Sequence, residues 1–519
     1  MTPARATTAT PAENPRPRHG IHRFRRAFQI AFLVLFFVLL TLTVWPLGTV
    51  FLGVFLGADP LIAIGSLVNG VWLWPMALAG VMVLVPLVAG RAFCGYVCPT
   101  GAIIETATPS RGLGRLSPAA RGRFRRLPPL LLLVALGLLL FANAAYLFFD
   151  PLATLTRTAT VLLYPLLDRL LRLTGDVAYL APPLRGSVDF TTGLLAGRLV
   201  FGKPLVYGLQ VALLVMFSAM LAISWVEPRM WCRYLCPLGA LLGFIARVAR
   251  VGRTVDVDAC ISCGKCTKTC PMDAVSEDFH ATDASRCQAC YECADVCPTD
   301  AIHLGTRPAT VEYDPARRTA VATGGLAALA GFFTFTGLSH RTRDAQLIRP
   351  PGARRETDLL AICTRCGQCM KVCPTNVLQP TVFSAGWDGV FTPRMDYRIA
   401  ACEWSCNECG KVCPTGAIER LTLPAKRKTV IGRAYIDKNR CIPWSDYKTC
   451  LVCQELCPVP VKAIVINTAE VTAPNGAKLT LGRPEVVAER CIGCGVCQSV
   501  CPVANQAAIE VYSTQSARG

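Results

Sequence analysis

Residues 260–271 read Cys260-Ile-Ser-Cys263-Gly-Lys-Cys266-Thr-Lys-Thr-Cys270-Pro271, and residues 287–298 repeat the frame as Cys287-Gln-Ala-Cys290-Tyr-Glu-Cys293-Ala-Asp-Val-Cys297-Pro298. Three thiols two residues apart sit on one tight loop and can hold three irons of a cubane. The fourth, three residues on and followed by Pro, reaches across to a neighbouring cluster. The spacing therefore predicts one [4Fe–4S] cluster on Cys260, Cys263, Cys266 and Cys297, and a second on Cys287, Cys290, Cys293 and Cys270. Zinc is the competing ligand, but its usual sites are two separated Cys-x2-Cys pairs.

The same theme recurs four times toward the C-terminus. Two groups are regular: Cys363, Cys366, Cys369, Cys373 and Cys491, Cys494, Cys497, Cys501. Two are stretched in their first interval: Cys402, Cys406, Cys409, Cys413 and Cys441, Cys450, Cys453, Cys457. All end in Cys-Pro. Six groups of four predict six [4Fe–4S] clusters and use 24 of the chain's 28 Cys, so the count is a ligand inventory and not a disulfide framework.

Outward from these modules the chain becomes apolar. At 52% hydrophobic and 17% charged over 519 residues, it is too apolar for soluble domains alone. The net charge of +19 comes largely from Arg flanking apolar runs, where it sets membrane orientation; no nucleic-acid partner is expected. Residues 1–26, with six Arg, are expected to be a disordered basic arm. Uncharged runs Ala27–Ala58, Pro60–Gly90, Leu127–Phe149 and Pro204–Val226 predict four spans within 27–254, contacting membrane lipid.

That region carries a repeat. Asp59-Pro60-Leu61 precedes Arg91-Ala-Phe-Cys94-Gly-Tyr96-Val-Cys98-Pro-Thr-Gly-Ala, and Asp150-Pro151-Leu152 precedes Arg229-Met-Trp-Cys232-Arg-Tyr234-Leu-Cys236-Pro-Leu-Gly-Ala. Two helical hairpins follow, with Cys94, Cys98, Cys232 and Cys236 emerging at one inner face. These thiols read either as reduced and packed or as a seventh iron–sulfur redox site. Asp59 and Asp150 read either as N-caps ahead of a Pro at N1 or as candidate quinone-site residues taking a proton from a quinol. Arg91 and Arg229 read as inner-face anchors, and Tyr96 and Tyr234 as interface aromatics.

The remaining segments are a two-cluster domain at 255–308, expected in the cytoplasm with the N-terminus, and a linker at 309–345. The linker joins Arg317-Arg318 to the uncharged run Thr319–Leu338, read as a twin-arginine export signal and fifth transmembrane helix. Residues 346–519 follow as a four-cluster domain placed in the periplasm. No His lies in a strong apolar run, and Cys-x2-Cys-His and Gly-rich nucleotide motifs are missing, so no haem, flavin or NAD(P) is expected.

Taken together, these motifs resemble the NapH/MauN-type membrane ferredoxins up to residue 305 and the NapG/MauM-type four-cluster ferredoxins from Arg317-Arg318 onward, as one fused chain; the membrane unit is also NosR-like. The resemblance implies two ferredoxin-like α+β iron–sulfur domains on an α-helical unit of four spans plus a fifth. It also implies a multi-pass inner-membrane subunit of a quinol dehydrogenase. That subunit would link the quinone pool to a periplasmic cytochrome, reductase or dehydrogenase. A rival function is an electron-donating maturation factor for a periplasmic metalloenzyme. Related iron–sulfur subunits nest their outer and inner groups. By that resemblance Cys501 completes the Cys363 set, Cys373 the Cys491 set, Cys457 the Cys402 set and Cys413 the Cys441 set; sequential pairing is the alternative. The purified protein is expected to show broad iron–sulfur absorbance, and a stoichiometric haem or flavin spectrum would contradict this reading.

Overall fold

A computed structural model describes residues 21–44, 50–108, 116–140, 144–196, 199, 204–306, 321, 323–329, 346–472, 474, 476 and 478–513. Arg317-Arg318 and most of Thr319–Leu338 lie outside the described residues. The chain divides into two compact units. One comprises residues 1–35, 81–129 and 221–315, and the other 36–80, 130–220 and 316–519.

The helices depart from the four-span expectation. Ile21–Leu42 is the one described helix long and apolar enough to cross a membrane. The run Pro60–Gly90 is broken into Pro60–Val68 and Ala77–Ala89. Gly70 turns the chain there at φ 69°, and Pro75 lies in an intervening short 3-10 helix. Leu127–Phe149 yields a helix at Leu127–Leu140 and a 3-10 turn at Ala145–Phe149, and the last run is helical at Gln210–Val226. The basic arm expected to be disordered to residue 26 is helical from Ile21.

In the first unit, strands Val251–Val255 and Ile302–Thr306 pair antiparallel, Val251 opposite Thr306 and Val255 opposite Ile302. They close the Cys260–Cys297 segment at its two ends. The core between them is Cys266, Val275, Tyr291, Ala294 and Ile302.

The second unit uses the same device. Ala353 bridges Ile418, enclosing the Cys363 and Cys402 groups, and Arg433–Ile436 pairs with Ile509–Tyr512, enclosing the Cys441 and Cys491 groups. A long hairpin, Ile464–Thr472 with Lys478–Val486, rises between the last two groups. Its burial fades toward the tip.

A charge network organises the first unit. Arg25, wholly buried, forks onto Glu105 at 2.5 and 2.9 Å and reaches Glu292 at 2.9 Å. Arg229 also grips Glu105, while its other amino group donates to Gln288 at 2.7 Å. Arg91 and Arg229 are 3% and 2% exposed, so the anchor reading is corrected: both are internal ligands of protein groups, not interface cations. Burial alone would raise the Glu105 carboxyl, but Arg25, Arg229 and Arg26 overcome it and lower it from 4.5 to about 2.

A carboxylate held down in this way stabilises the fold above the pH at which the unfolded carboxyl ionises. Its contribution is lost as pH falls from about 4.5 toward 2. Glu105→Ala leaves buried guanidinium groups uncompensated and is expected to cost about 3–5 kcal/mol at neutral pH. Chemical unfolding followed by circular dichroism checks this, and the deficit should shrink at acid pH.

Candidate iron–sulfur centres

The cluster-binding loops are shaped by left-handed residues. In the four regular groups the residue before the second Cys has positive φ: Ser262, Ala289, Arg365 and Gly493 at 53°, 53°, 56° and 77°. So does the residue after it: Gly264, Tyr291, Gly367 and Gly495 at 69°, 57°, 79° and 78°. This double left-handed turn curls the Cys-x2-Cys-x2-Cys segment so that its thiols face inward. In the two stretched groups, Asn407 (φ −139°) and Leu451 (φ −119°) follow the second Cys instead, so the longer first interval replaces the tight curl.

Cavities between the loops show which thiols lie together. Cys270, Cys287, Cys290 and Cys293 line one cavity in the first unit. Cys266 and Cys297 meet in the same module's core, with Cys260 and Cys263 on the loop leading to Cys266. In the second unit the cavities group the thiols by the sequential alternative and not by the nested pairing. Cys363, Cys366 and Cys369 share a cavity with Cys413, Cys402, Cys406 and Cys409 with Cys373, and Cys441, Cys450 and Cys453 with Cys501. Cys457 packs on Cys491 and acts electrostatically on Cys494 and Cys497. Groups adjacent in sequence exchange their fourth Cys because antiparallel closure brings the two ends of each pair together.

These thiols suit iron–sulfur clusters. Among the described residues no three His, Cys, Asp or Glu side chains converge closely enough to hold a single ion, whereas four thiols surround each of four cavities. Burial pushes Cys293, Cys366 and Cys406 up to about 12 and Cys402 and Cys494 to about 11, so as bare thiols they stay protonated. A cationic centre is what turns such groups into thiolates.

The sets of the second unit adjoin one another in turn. Cys363 and Cys413 share a core with Cys409 of the next set. The Cys402 amide donates to the Cys494 carbonyl at 3.0 Å, joining the second set to the third. Buried Tyr397 stands there, its hydroxyl donating to Gly493 O at 2.5 Å. Cys441 and Cys497 then share a core with Cys453 and Cys501, joining the third set to the fourth.

Arg157 packs against the first set. It is 1% exposed, sits 3.9 Å over the Phe148 ring, and donates to Phe148 O at 3.0 Å and Arg365 O at 3.3 Å. The sequence reading missed Arg157; an Arg amid the Thr-rich stretch 154–160 was the available signal.

The repeat thiols converge in the first unit. Cys98 and Cys236 each cap a short helix, accepting from Gly101 N at 3.5 Å and Gly239 N at 3.2 Å. Cys236 acts electrostatically with Cys232, Cys94 and Cys98, and burial first, then these neighbours, push its thiol up. Arg91 lies among them, donating to Cys232 O at 2.9 Å; a Cβ on Gly239 would meet its guanidinium at 2.3 Å. The Cys287–Cys293 loop docks on this site. Arg91 N donates to Cys287 O at 3.1 Å, and Tyr96 donates to Ala289 O at 2.9 Å. Tyr96 therefore fastens the Cys287–Cys293 loop, and buried Tyr234 accepts from Arg233 at 3.0 Å.

Asp59 and Asp150 cap helices Pro60–Val68 and Pro151–Thr158, as Asp-Pro implies. Each accepts two backbone N–H groups.

Known families match along these segments. A 4Fe-4S dicluster domain matches residues 253–304, another matches 362–417, and a 4Fe-4S binding domain matches 482–503. A further 4Fe-4S binding domain matches twice, at 71–115 and 209–254, once on each half of the repeat. No solved structure matches.

Among curated proteins, the methylamine utilization ferredoxin-type protein MauM of Methylorubrum extorquens is 34% identical over 212 residues, 40% of this chain and 92% of its own length. The ferredoxin-type protein NapG of Escherichia coli (strain K12) is 33% identical over 199 residues, 38% of this chain and 83% of its length. The methylamine utilization ferredoxin-type protein MauN of Paracoccus denitrificans is 31% identical over 232 residues, 42% and 63% of the respective lengths.

Gly495 offers a local test of the loop geometry. Its φ is 78°, and an added Cβ would stand 2.0 Å from the Tyr397 ring. Gly495→Ala combines left-handed strain of about 1–2 kcal/mol with overpacking of about 1–3 kcal/mol. It is expected to lower iron and sulfide per chain, measured by chemical analysis; an unchanged content would refute the loop assignment.

With the thiol sets in place and a shared sequence that spans more than four-fifths of two such relatives, the chain belongs to the MauM and NapG family of ferredoxin-type iron–sulfur proteins.

Proposed function

We propose that this ferredoxin-type chain is a membrane-bound carrier that takes electrons from a hydroquinone and passes them to a redox partner outside the cytoplasm. The observation that supports this most directly is the consecutive order of four thiol sets in the second unit, beginning beside Arg157. A store of iron needs no such order, whereas a carrier needs closely spaced stations. Bound [4Fe–4S] clusters, six by the Cys count, would supply one-electron chemistry at those stations.

The chain's own residues supply burial, spacing and positive charge: Arg157 and Arg365 lie beside the first set, and Arg253 beside Cys293. We further assign Cys94, Cys98, Cys232 and Cys236 a seventh centre, adjoining the Cys287 loop and compensated by Arg91. Membrane attachment rests on the apolar helix Ile21–Leu42, with Trp74–Ala89 and Gln210–Val226 as shorter apolar companions. MauM is named for methylamine utilization; for this chain the partner is defined only as a protein that accepts single electrons on the outer side.

The test uses the full chain in lipid vesicles. Hydroquinone should bleach the iron–sulfur absorbance at a catalytically useful rate, and bleaching by dithionite alone would refute the hydroquinone link. In the Cys94→Ser/Cys232→Ser variant, iron per chain should fall by about two to four and hydroquinone-driven bleaching should slow. An unchanged count and rate would make the four thiols structural.

A further inference from the structure

The Asp-Pro-Leu repeats bring Asp59 and Asp150 together in the second unit. Both side chains are wholly buried. Asp59 Oδ1 accepts from Leu61 N at 2.8 Å, and Asp150 Oδ1 accepts from Leu152 N and Ala153 N at 2.9 and 3.0 Å. The two Oδ2 atoms receive no donor from any other residue, and the two carboxyls touch each other. Capping explains Oδ1 in both residues and leaves Oδ2 unexplained.

Two ionised carboxylates cannot share so dry a contact, because like charge and desolvation act together. One proton between the Oδ2 atoms satisfies both at once. The backbone N–H groups and helix N-termini steady the one negative charge that remains. Among the described residues, Arg157 acts on Asp150. Arg157 lies on the helix that Asp150 caps, roughly 10 Å further along its axis, and Arg365 stands beyond it. The same Arg157 leans on the loop of Cys363 and Cys366. Asp150 thus caps the helix that carries Arg157, and Arg157 in turn touches the loop of the first thiol set.

We propose that Asp59 and Asp150 hold one proton between them and accept the proton that a hydroquinone releases. This rests on the hydroquinone reading above. In the step, the hydroquinone O–H bond breaks, the shared proton settles on one Oδ2 atom, and a new O–H bond forms on the other, so that each carboxyl then carries one proton. The pair goes from a charge of −1 to 0, and the hydroquinone from 0 to −1.

The experiment is infrared spectroscopy of the full-length protein in detergent, compared with its Asp59→Asn and Asp150→Asn variants, which keep the capping oxygen. The wild type should show a deuterium-sensitive C=O band of a protonated carboxyl at roughly pH 6–8, where ordinary carboxyls are ionised; either substitution should remove it. Reduction by a short-chain hydroquinone should slow about a hundredfold in the variants, with dithionite reduction unchanged. A wild type without the band overturns the shared proton, whether or not the variants fold. Variants reduced by hydroquinone at the wild-type rate overturn the acceptor role. A wild type that dithionite reduces and hydroquinone does not would overturn the hydroquinone reading and the acceptor role with it, while the band still decides whether the proton is shared.

Discussion

Everything in this molecule follows from the need to bring three thiols of one loop against a fourth thiol from another. A cubane needs inward-facing ligands at four corners, and a chain of L-residues reaches that shape only through costly backbone turns. The regular groups accept left-handed residues on both sides of the second Cys, including non-glycines such as Tyr291 and Arg365. The antiparallel closures, Val251–Val255 with Ile302–Thr306, Ala353 with Ile418, and Arg433–Ile436 with Ile509–Tyr512, hold the two loops of each pair face to face.

Buried arginine is the second recurring element. Arg25 and Arg229 clamp Glu105, Arg91 lies beside Cys94, Cys232 and Cys236, and Arg157 and Arg365 flank the Cys363 loop. A bare thiol needs no such neighbour. Anionic iron–thiolate centres do, because a fixed guanidinium lowers the cost of placing negative charge in a dry interior. Arg157 and Arg365 are placed for such a role beside the first thiol set, whereas Arg25 and Arg229 are matched by the Glu105 carboxylate.

Much of this was legible in the chain itself. Cys spacing marked the 4Fe-4S domains at 253–304, 362–417 and 482–503, and the Asp-Pro-Leu and Cys-x3-Cys-Pro frames marked the repeat. The pairing of the C-terminal groups was not, because Cys spacing describes each loop and is silent about which loops face each other. That choice belongs to short pairings such as Ala353 with Ile418, too brief to leave a periodic signal. Four unbroken spans were over-read from hydropathy, since an uncharged run tolerates Gly70 and Pro75 without losing its apolar character. The burial of Arg91 and Arg229 was hidden for a related reason: an Arg beside an apolar run looks like an anchor until its carboxylate or carbonyl partner, distant in sequence, is seen.

Neighbour-with-neighbour pairing also shapes how the protein comes into being. A set completed by Cys413 can close soon after residue 418 leaves the ribosome, whereas one completed by Cys501 would wait for nearly the whole domain. The equilibrium difference is small, since doubling a loop costs only about 0.6 kcal/mol. The kinetic difference is large: half-built thiol loops are exposed, oxidisable and prone to wrong partners while they wait. Local closure lets each cluster be delivered to a finished pocket before the next pair of loops is synthesised.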